Sequence, residues 1–381
     1  MNNCKKTAVM YGAGNIGRGF IGQIFHDSGF EVVFVDVNMD VVSSLNERGA
    51  YTQLIIDGDE TEYREITGVR AVSGNSRDDV VREIAGCDIL AVSVGAAVLP
   101  FIAPFLADGL ALREEPLNIL VCENLAHAPD ALRGYVSEHL SDSGKLELTG
   151  FVGTTIGRMV PVMPPEQRVE DPTLIAVERF CFLPIDGDAV VAPFPELKNT
   201  YLFTQFAFEE GKKLYIHNMG HSLAAYFGAL KGYQYIWQTM DDVTIRETVQ
   251  NAMNASADAL ARKYNKDRSD LSDYVDDLLL RFGNKGLGDT VKRVGADPMR
   301  KLAPGDRFIA AIDLCIEQGV DYSSLLSGVA AALKFNAPDD PSANQLQERL
   351  REHDIHTFLR DFCGFSEEDA MRCVGIYGMQ I

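Results

Sequence analysis

The stretch Ala8-Val-Met-Tyr-Gly12-Ala-Gly14-Asn15-Ile16-Gly17-Arg-Gly19 constrains the fold of this 381-residue chain more than any other. A short apolar, β-prone run feeds a Gly-x-Gly-x-x-Gly turn, and Phe20, Ile21 and Ile24 continue it in a helical pattern. Strand, glycine turn and helix in this order make a dinucleotide-binding fingerprint. Gly12 supplies the tight turn, Gly14 lets backbone approach a pyrophosphate, and Gly17 permits close packing of helix on strand. Asn15 and Ile16 complete the turn, and the helix N-terminus faces the phosphates. A second apolar strand, Val32–Val35, ends at Asp36. A carboxylate there accepts hydrogen bonds from both adenosine ribose hydroxyls and repels a 2′-phosphate, which argues for NAD over NADP. FAD uses the same half-fold, so the choice of a nicotinamide rests on residues further along the chain.

Strand-like runs recur at residues 7–11, 31–36, 88–94, 118–122 and 150–153, separated by helical or loop patterns. This alternation predicts an α/β architecture, a doubly wound Rossmann-type parallel sheet. Seven of the fifteen prolines lie between Pro161 and Pro195, interleaved with strand-like segments at 174–183 and 189–191. They mark a covering segment and an inter-domain crossing. Beyond it the pattern changes to long amphipathic helices, for example 213–230, 243–264 and 269–282. The expected domains are therefore an NAD-binding unit over 1–195 and a mostly α-helical C-terminal catalytic unit over 196–381. The active site is expected where the carboxyl ends of the sheet strands meet the helical domain.

Composition removes several classes. A formal charge of −20 repels nucleic acid and anionic membranes, so any anionic ligand must be held by a local basic cluster. Residues 89–107 could pass for a membrane span, but Pro100 and Pro104 interrupt them; a buried parallel strand followed by a packed helix explains the same run. Seven scattered cysteines with no Cys-x-x-Cys pair imply a reducing compartment and no zinc site. The N-terminus leads straight into the first strand with no signal-peptide pattern, so a cytoplasmic location is expected.

The run Lys213-Leu-Tyr-Ile-His217-Asn218-Met-Gly-His221 carries the chemistry. On an α-helix, about 100° per residue puts Lys213 near 0°, His221 near 80° and Asn218 near 140°, all on one face. An amine of depressed pKa can remove a hydroxyl proton, the carboxamide can hold the developing oxyanion, and the imidazole can fix a sugar. The alternative for such spacing is an ordinary solvated helix face.

Taken with the fingerprint Gly12 to Gly22, Cys122-Glu-Asn124, Gly220-His-Ser-Leu-Ala-Ala-Tyr226, Arg281-Phe-Gly-Asn284, Arg293-Val-Gly and Arg300-Lys301-Leu-Ala-Pro-Gly-Asp-Arg307, the run resembles the polyol-specific long-chain dehydrogenases nearly end to end. The resemblance implies NAD-linked hydride transfer without a metal. Lys213 is then the general base, Asn124 and Asn218 the oxyanion-stabilising pair, and His221 the polyol contact; Asn124 also borders the cofactor. The length of the chain points to the sugar-phosphate branch and to interconversion of D-mannitol 1-phosphate and D-fructose 6-phosphate. Reduction of another ketose phosphate or a hexuronate is the runner-up, and a catalytically silent NAD-binding sensor is the alternative of another class. Family habit points to a monomer. The sequence departs from the family at Gly157, where an Asp usually precedes the Arg, and at Tyr233, where His is common; both bear on which sugar is bound.

His217 and His221 are spaced as a zinc pair could be, but no third ligand accompanies them. Arg293 and Lys301 fall where relatives bind the distal polyol, and Arg300 is added as a phosphate contact, because arginine's planar fork suits phosphate oxygens. Glu210, three residues before Lys213, is a possible proton relay, and Cys122 is read as packing at a strand end.

Overall fold

The computed structural model describes residues 6–123, 125, 127–161, 163 and 171–379. The chain forms two compact units, Met1–Glu209 and Glu210–Ile381. In the first, β1 (Thr7–Tyr11), β2 (Glu31–Asp36), β3 (Ala50–Asp57), β4 (Glu60–Thr67), β5 (Val69–Ser73), β6 (Ile89–Val92), β7 (Leu117–Val121) and β8 (Thr149–Gly153) are followed by β9 (Ile175–Glu178), β10 (Leu183–Asp186) and β11 (Thr200–Phe203). Six of them form one parallel sheet in the order β5-β2-β1-β6-β7-β8. This is the doubly wound sheet the alternating apolar runs predict.

The period of two along β1 explains its central place. Ala8 and Met10 enter a core with Phe20, Ile24 and Phe34, whereas Val9 and Tyr11 enter the opposite core with Leu90, Val92 and Leu99. A strand covered on both faces reads as a continuous apolar run. The apolar stretch 89–107 resolves in the same terms, as β6, a loop and the helix Leu99–Ala111. Among the described residues, no helix is long and apolar enough to cross a membrane.

The strand expectations did not include the edge strand β5 or β11, and three further features differ from them. Residues 50–67 form an antiparallel hairpin that joins β9 in a separate three-stranded sheet, β4-β3-β9. The segment expected at 174–183 is divided into β9 and the start of β10, and β10 pairs in parallel with β11. Residues expected as a strand at 189–191 are a turn and a loop. There the side-chain amide of Asn118 takes both backbone groups of Val191, donating to its carbonyl at 2.7 Å and accepting from its N–H at 2.9 Å, so no strand partner is required.

The second unit is helical. Asp242 caps Val243–Tyr264 by accepting from the N–H groups of Thr244 and Ile245, and Asp267 caps Arg268–Phe282 through Ser269. The segment expected as one α-helix from Lys213 instead begins as a π-helical turn, Lys212–Asn218, and continues as the α-helix Met219–Lys231.

Candidate active site

The glycine turn at the end of β1 has the shape its sequence implies. Gly12 sits at φ +103°, where a Cβ would lie 2.2 Å from the Ser93 carbonyl oxygen, and a Cβ on Gly17 would lie 1.9 Å from that of Gly12. Both positions therefore exclude side chains. A Cβ on Gly14 would meet nothing within 4 Å, so this exposed glycine leaves the approach to the turn open. Asn15 and Ile16, half-buried, start the helical run beside it. Arg18 is turned inward, its Nε donating to the Ala13 carbonyl at 2.6 Å and Nη1 to that of Pro172 at 3.1 Å. The turn thus offers backbone N–H groups to an anion. Asp36 braces the same turn: Oδ2 accepts from the Ala13 N–H at 2.7 Å and Oδ1 from that of Asn38 at 2.9 Å. Each carboxylate oxygen has a second lone pair, so capacity for ribose hydroxyls remains. Glycine turn, open approach and strand-end acid together fit an adenine dinucleotide lacking a 2′-phosphate.

At the end of β7, Glu123 accepts from the N–H groups of Val94 and Gly95 at 2.7 and 2.9 Å, tying the loop after β6 to that strand end. Burial raises its pKa, and the two backbone donors oppose the rise. Asn124 lies outside the described residues.

In the second unit the structure brings together Lys213, His221 and groups the sequence reading does not single out. The i→i+5 register of the π turn sets Asn218 one turn beyond Lys213, closer in azimuth than an α-helix would place it. Lys213 Nζ lies 3.2 Å from Nδ1 of His217, an imidazole only 2% exposed. Phe282 packs edge-on to His217, with ring centroids 5.7 Å apart, and stacks on His221 at 4.7 Å. His221 Nε2 is 3.0 Å from Asp289 Oδ2, an ion-pair distance at an angle short of a full hydrogen bond. Asp289 Oδ1 accepts from Nε of Arg293 at 2.8 Å, so acid, imidazole and guanidinium form one chain.

Electrostatics follow from this packing. Burial pushes His217 well below the usual imidazole range, and the positive charges of Lys213, Arg281 and Arg307 push the same way. His221 is lowered by burial against the opposing pull of Asp289. Burial would raise Asp289, but His221 and Arg293 outweigh it and hold the carboxyl below its ordinary value. Both imidazoles are therefore neutral at neutral pH.

The other expected cations have protein partners. Arg300 pairs with Asp297 through Nε at 2.7 Å and with Asp306 through Nη1 at 3.1 Å. Lys301 donates to the carbonyls of Val294, at 2.7 Å, and Ala296, and burial lowers it to about 7, helped by Arg307 and Arg300. Arg307 binds Asp306 at 2.8 Å and Ser222 Oγ at 3.3 Å on the helix that carries His221. Tyr233 donates to Asp242 at 3.1 Å, and a Cβ on Gly157 would meet the Phe180 ring at 3.4 Å. Asp289 has no place in the sequence reading, Arg307 enters it only as the end of the Arg300–Arg307 motif, and His217 only as half of a His-x-x-x-His pair with His221. The sequence signal for the contact seen here is the spacing of four between Lys213 and His217. Among the described residues, no group of three His, Cys, Asp or Glu is arranged to hold a metal.

A Rossmann unit with this turn, followed by a helical unit carrying a lysine, amide and imidazole constellation, defines an oxidoreductase of the dinucleotide-dependent class. The mannitol dehydrogenase Rossmann-domain model matches residues 6–199, and the model for the mannitol dehydrogenase C-terminal domain matches residues 206–360. The chain belongs to the mannitol dehydrogenase family and is thereby an NAD-dependent polyol dehydrogenase. It is 36% identical over 366 residues to mannitol-1-phosphate 5-dehydrogenase of Geobacillus thermodenitrificans, covering 94% of each chain. Among solved structures it resembles a Pseudomonas fluorescens mannitol 2-dehydrogenase in ternary complex with NAD and D-mannitol. That match has a TM-score of 0.76 and 18% identity over 99% of this chain and 92% of the other. It also resembles a substrate-free D-sorbitol dehydrogenase, with a TM-score of 0.78 and 16% identity over 98% and 92%. At these identities the structural likeness is one of fold.

Proposed function

We propose that the chain interconverts D-mannitol 1-phosphate and D-fructose 6-phosphate with NAD. The observation that carries this reading is the 36% identity, over 94% of both chains, to a mannitol-1-phosphate 5-dehydrogenase. Lys213, Arg281 and Arg307 act on His217 as neighbouring cations, and a protein of net charge −20 needs such side chains wherever it holds a phosphate.

In this reading residues 1–195 hold the cofactor, through Gly12, Gly14, Asn15, Ile16, Gly17 and Asp36, with Asn124 at its border; residues 196–381 carry substrate and catalysis. NAD, when bound, accepts hydride in oxidation and supplies it, as NADH, in reduction. Lys213 takes the proton of the C5 hydroxyl, and the carboxamides of Asn218 and Asn124 donate to the oxygen as negative charge develops on it. His221, neutral and held against Asp289, orients the polyol chain. Arg293 and Lys301 meet the distal polyol. Arg300 reads the phosphate with the Nη2 edge that its two aspartates leave available among the described residues.

The test is NADH oxidation followed at 340 nm against fructose 6-phosphate, other ketose phosphates, free fructose, tagaturonate and fructuronate. Fructose 6-phosphate should lead in kcat/KM. A uronate or a free ketose in front would move the chain to another branch of the family, and absence of turnover on every member would favour a binding role.

A further inference from the structure

Resting on Lys213 as the general base, we infer that His217 is a positioning residue, whose Nδ1 accepts a hydrogen bond from the Lys213 amine and fixes where the nitrogen lone pair points. The residues lie four apart, one above the other on the same helical face, with Nζ 3.2 Å from Nδ1. A neutral amine has two N–H groups and one lone pair. With one N–H given to His217, rotation about the Cε–Nζ bond is restricted and the lone pair is held for the substrate hydroxyl.

The imidazole suits this task because it is itself immobile. It is 2% exposed, wedged edge-on against Phe282, and 6.2 Å from His221 between ring centroids. The groups facing it are Lys213 and His221 from its own helical run, Arg281 from Arg268–Phe282, and Arg307 from the segment before Ile309–Gln318. Burial disfavours a proton on the ring, and the cations Lys213, Arg281 and Arg307 add to it while His221 is itself neutral, so His217 stays neutral and keeps an acceptor on Nδ1, with its own proton on Nε2.

A neutral acceptor binds an ammonium more strongly than an amine, so His217 also favours the protonated form of Lys213. Removing it has two consequences of different kinds: the base loses its aim, which lowers kcat, and it deprotonates at a lower pH, which moves the acid limb of the oxidation profile downward. A residue that merely fills space would not move that limb.

The experiment compares the intact protein with His217→Leu, which lacks the acceptor, and His217→Asn, whose Oδ1 falls near the place of Nδ1. For each, kcat and KM for polyol phosphate are measured across pH, and the pKa of Lys213 is read without substrate or cofactor from the pH dependence of its acylation by an amine reagent, quantified by peptide mass spectrometry. In the Leu variant we expect an approximately tenfold fall in kcat with little change in KM, and a downward shift of about half to one pH unit in both acid limb and labelling pKa. The Asn variant should return both to within about twofold and a few tenths of a unit of the parent. If the Leu variant does not fold, His217→Gln, whose amide reaches toward the Nε2 position, should shift as Leu would. An unmoved labelling pKa in Leu or Gln, or an Asn variant as impaired as Leu, overturns the inference. Lys213→Ala separates it from the reading beneath: turnover should fall by about two to four orders of magnitude. Retained turnover there would remove Lys213 as the base, while the labelling arm still reports on the hydrogen bond.

Discussion

Replacing Asp289 by Asn tests whether the acid that holds His221 contributes to substrate recognition. The structure allows the cost to be apportioned. Toward Arg293 the carboxylate makes contacts of 2.8 and 2.5 Å, but that side chain is 49% exposed, and half-solvated pairs contribute little. Toward His221 the contact is 3.0 Å between side chains 15% and 10% exposed, so most of the loss falls there. A charge-assisted contact contributes about 1.5–3 kcal/mol and a neutral one about 1, and Asn keeps the neutral part. The expected loss is about 0.5–2 kcal/mol, or roughly two- to thirtyfold in kcat/KM for polyol phosphate, with NADH affinity unchanged. His221 stays neutral in both proteins, since burial lowers it and loss of the acid lowers it further, so the neutral-pH profile should keep its shape. Stability gives a second reading. Because the folded pKa of Asp289 is depressed, its contribution is present above the unfolded value of about 3.9 and is lost as pH falls through the folded value. The urea midpoints of parent and variant should therefore differ at pH 6 and converge below about pH 4. Parent-like kcat/KM, or an equal loss in NADH binding, would refute the role assigned to the Asp289–His221 contact.

Asp36→Ser should lower the NAD to NADP efficiency ratio, because it removes both the ribose acceptors and the repulsion of a 2′-phosphate; an unchanged ratio in steady-state assays would exclude Asp36 as the ribose ligand. Arg300→Ala should weaken fructose 6-phosphate about ten- to a hundredfold in kcat/KM while sparing free fructose, with the difference shrinking as salt is added. Equal losses on the two sugars would assign Arg300 to its pairs with Asp297 and Asp306 alone.

The large sheet was legible because each of its central strands is buried on both faces and so carries an unbroken apolar run. The hairpin was not, and β4 explains why. Its residues, Glu60-Thr-Glu-Tyr-Arg-Glu-Ile-Thr67, are mostly exposed, so the alternation that marks a half-buried strand is missing. β5, with Val69 and Ala71 buried, is short and sits at the sheet edge, where fewer apolar positions are required. The assignment of 189–191 to a strand failed for a different reason: a buried side-chain amide over seventy residues away satisfies the backbone of Val191, and no local pattern announces such a partner.

The site divides along the same line. The glycine turn and Asp36 were readable because their task is local: a φ of +103° or a Cβ 1.9 Å from a carbonyl oxygen leaves the sequence no choice but glycine. The lysine run was readable as a composition of reactive groups, but its geometry was not. Angles counted at 100° per residue assume i→i+4 bonding, and the chain between Lys212 and Asn218 is wound one residue wider. In the wider turn Asn218 falls nearer in azimuth to Lys213, and His217 occupies the neighbouring place that delivers its Nδ1 to the amine. Asp289, Phe282 and Arg307 come from elsewhere in the chain, so spacing within the motif could not reveal them. The electrostatics have the same origin. A net charge of −20 gives no hint that Lys213, Arg281 and Arg307 converge on one buried imidazole. Burial keeps His217 neutral and that convergence pushes the same way, so it can serve as an acceptor for the amine.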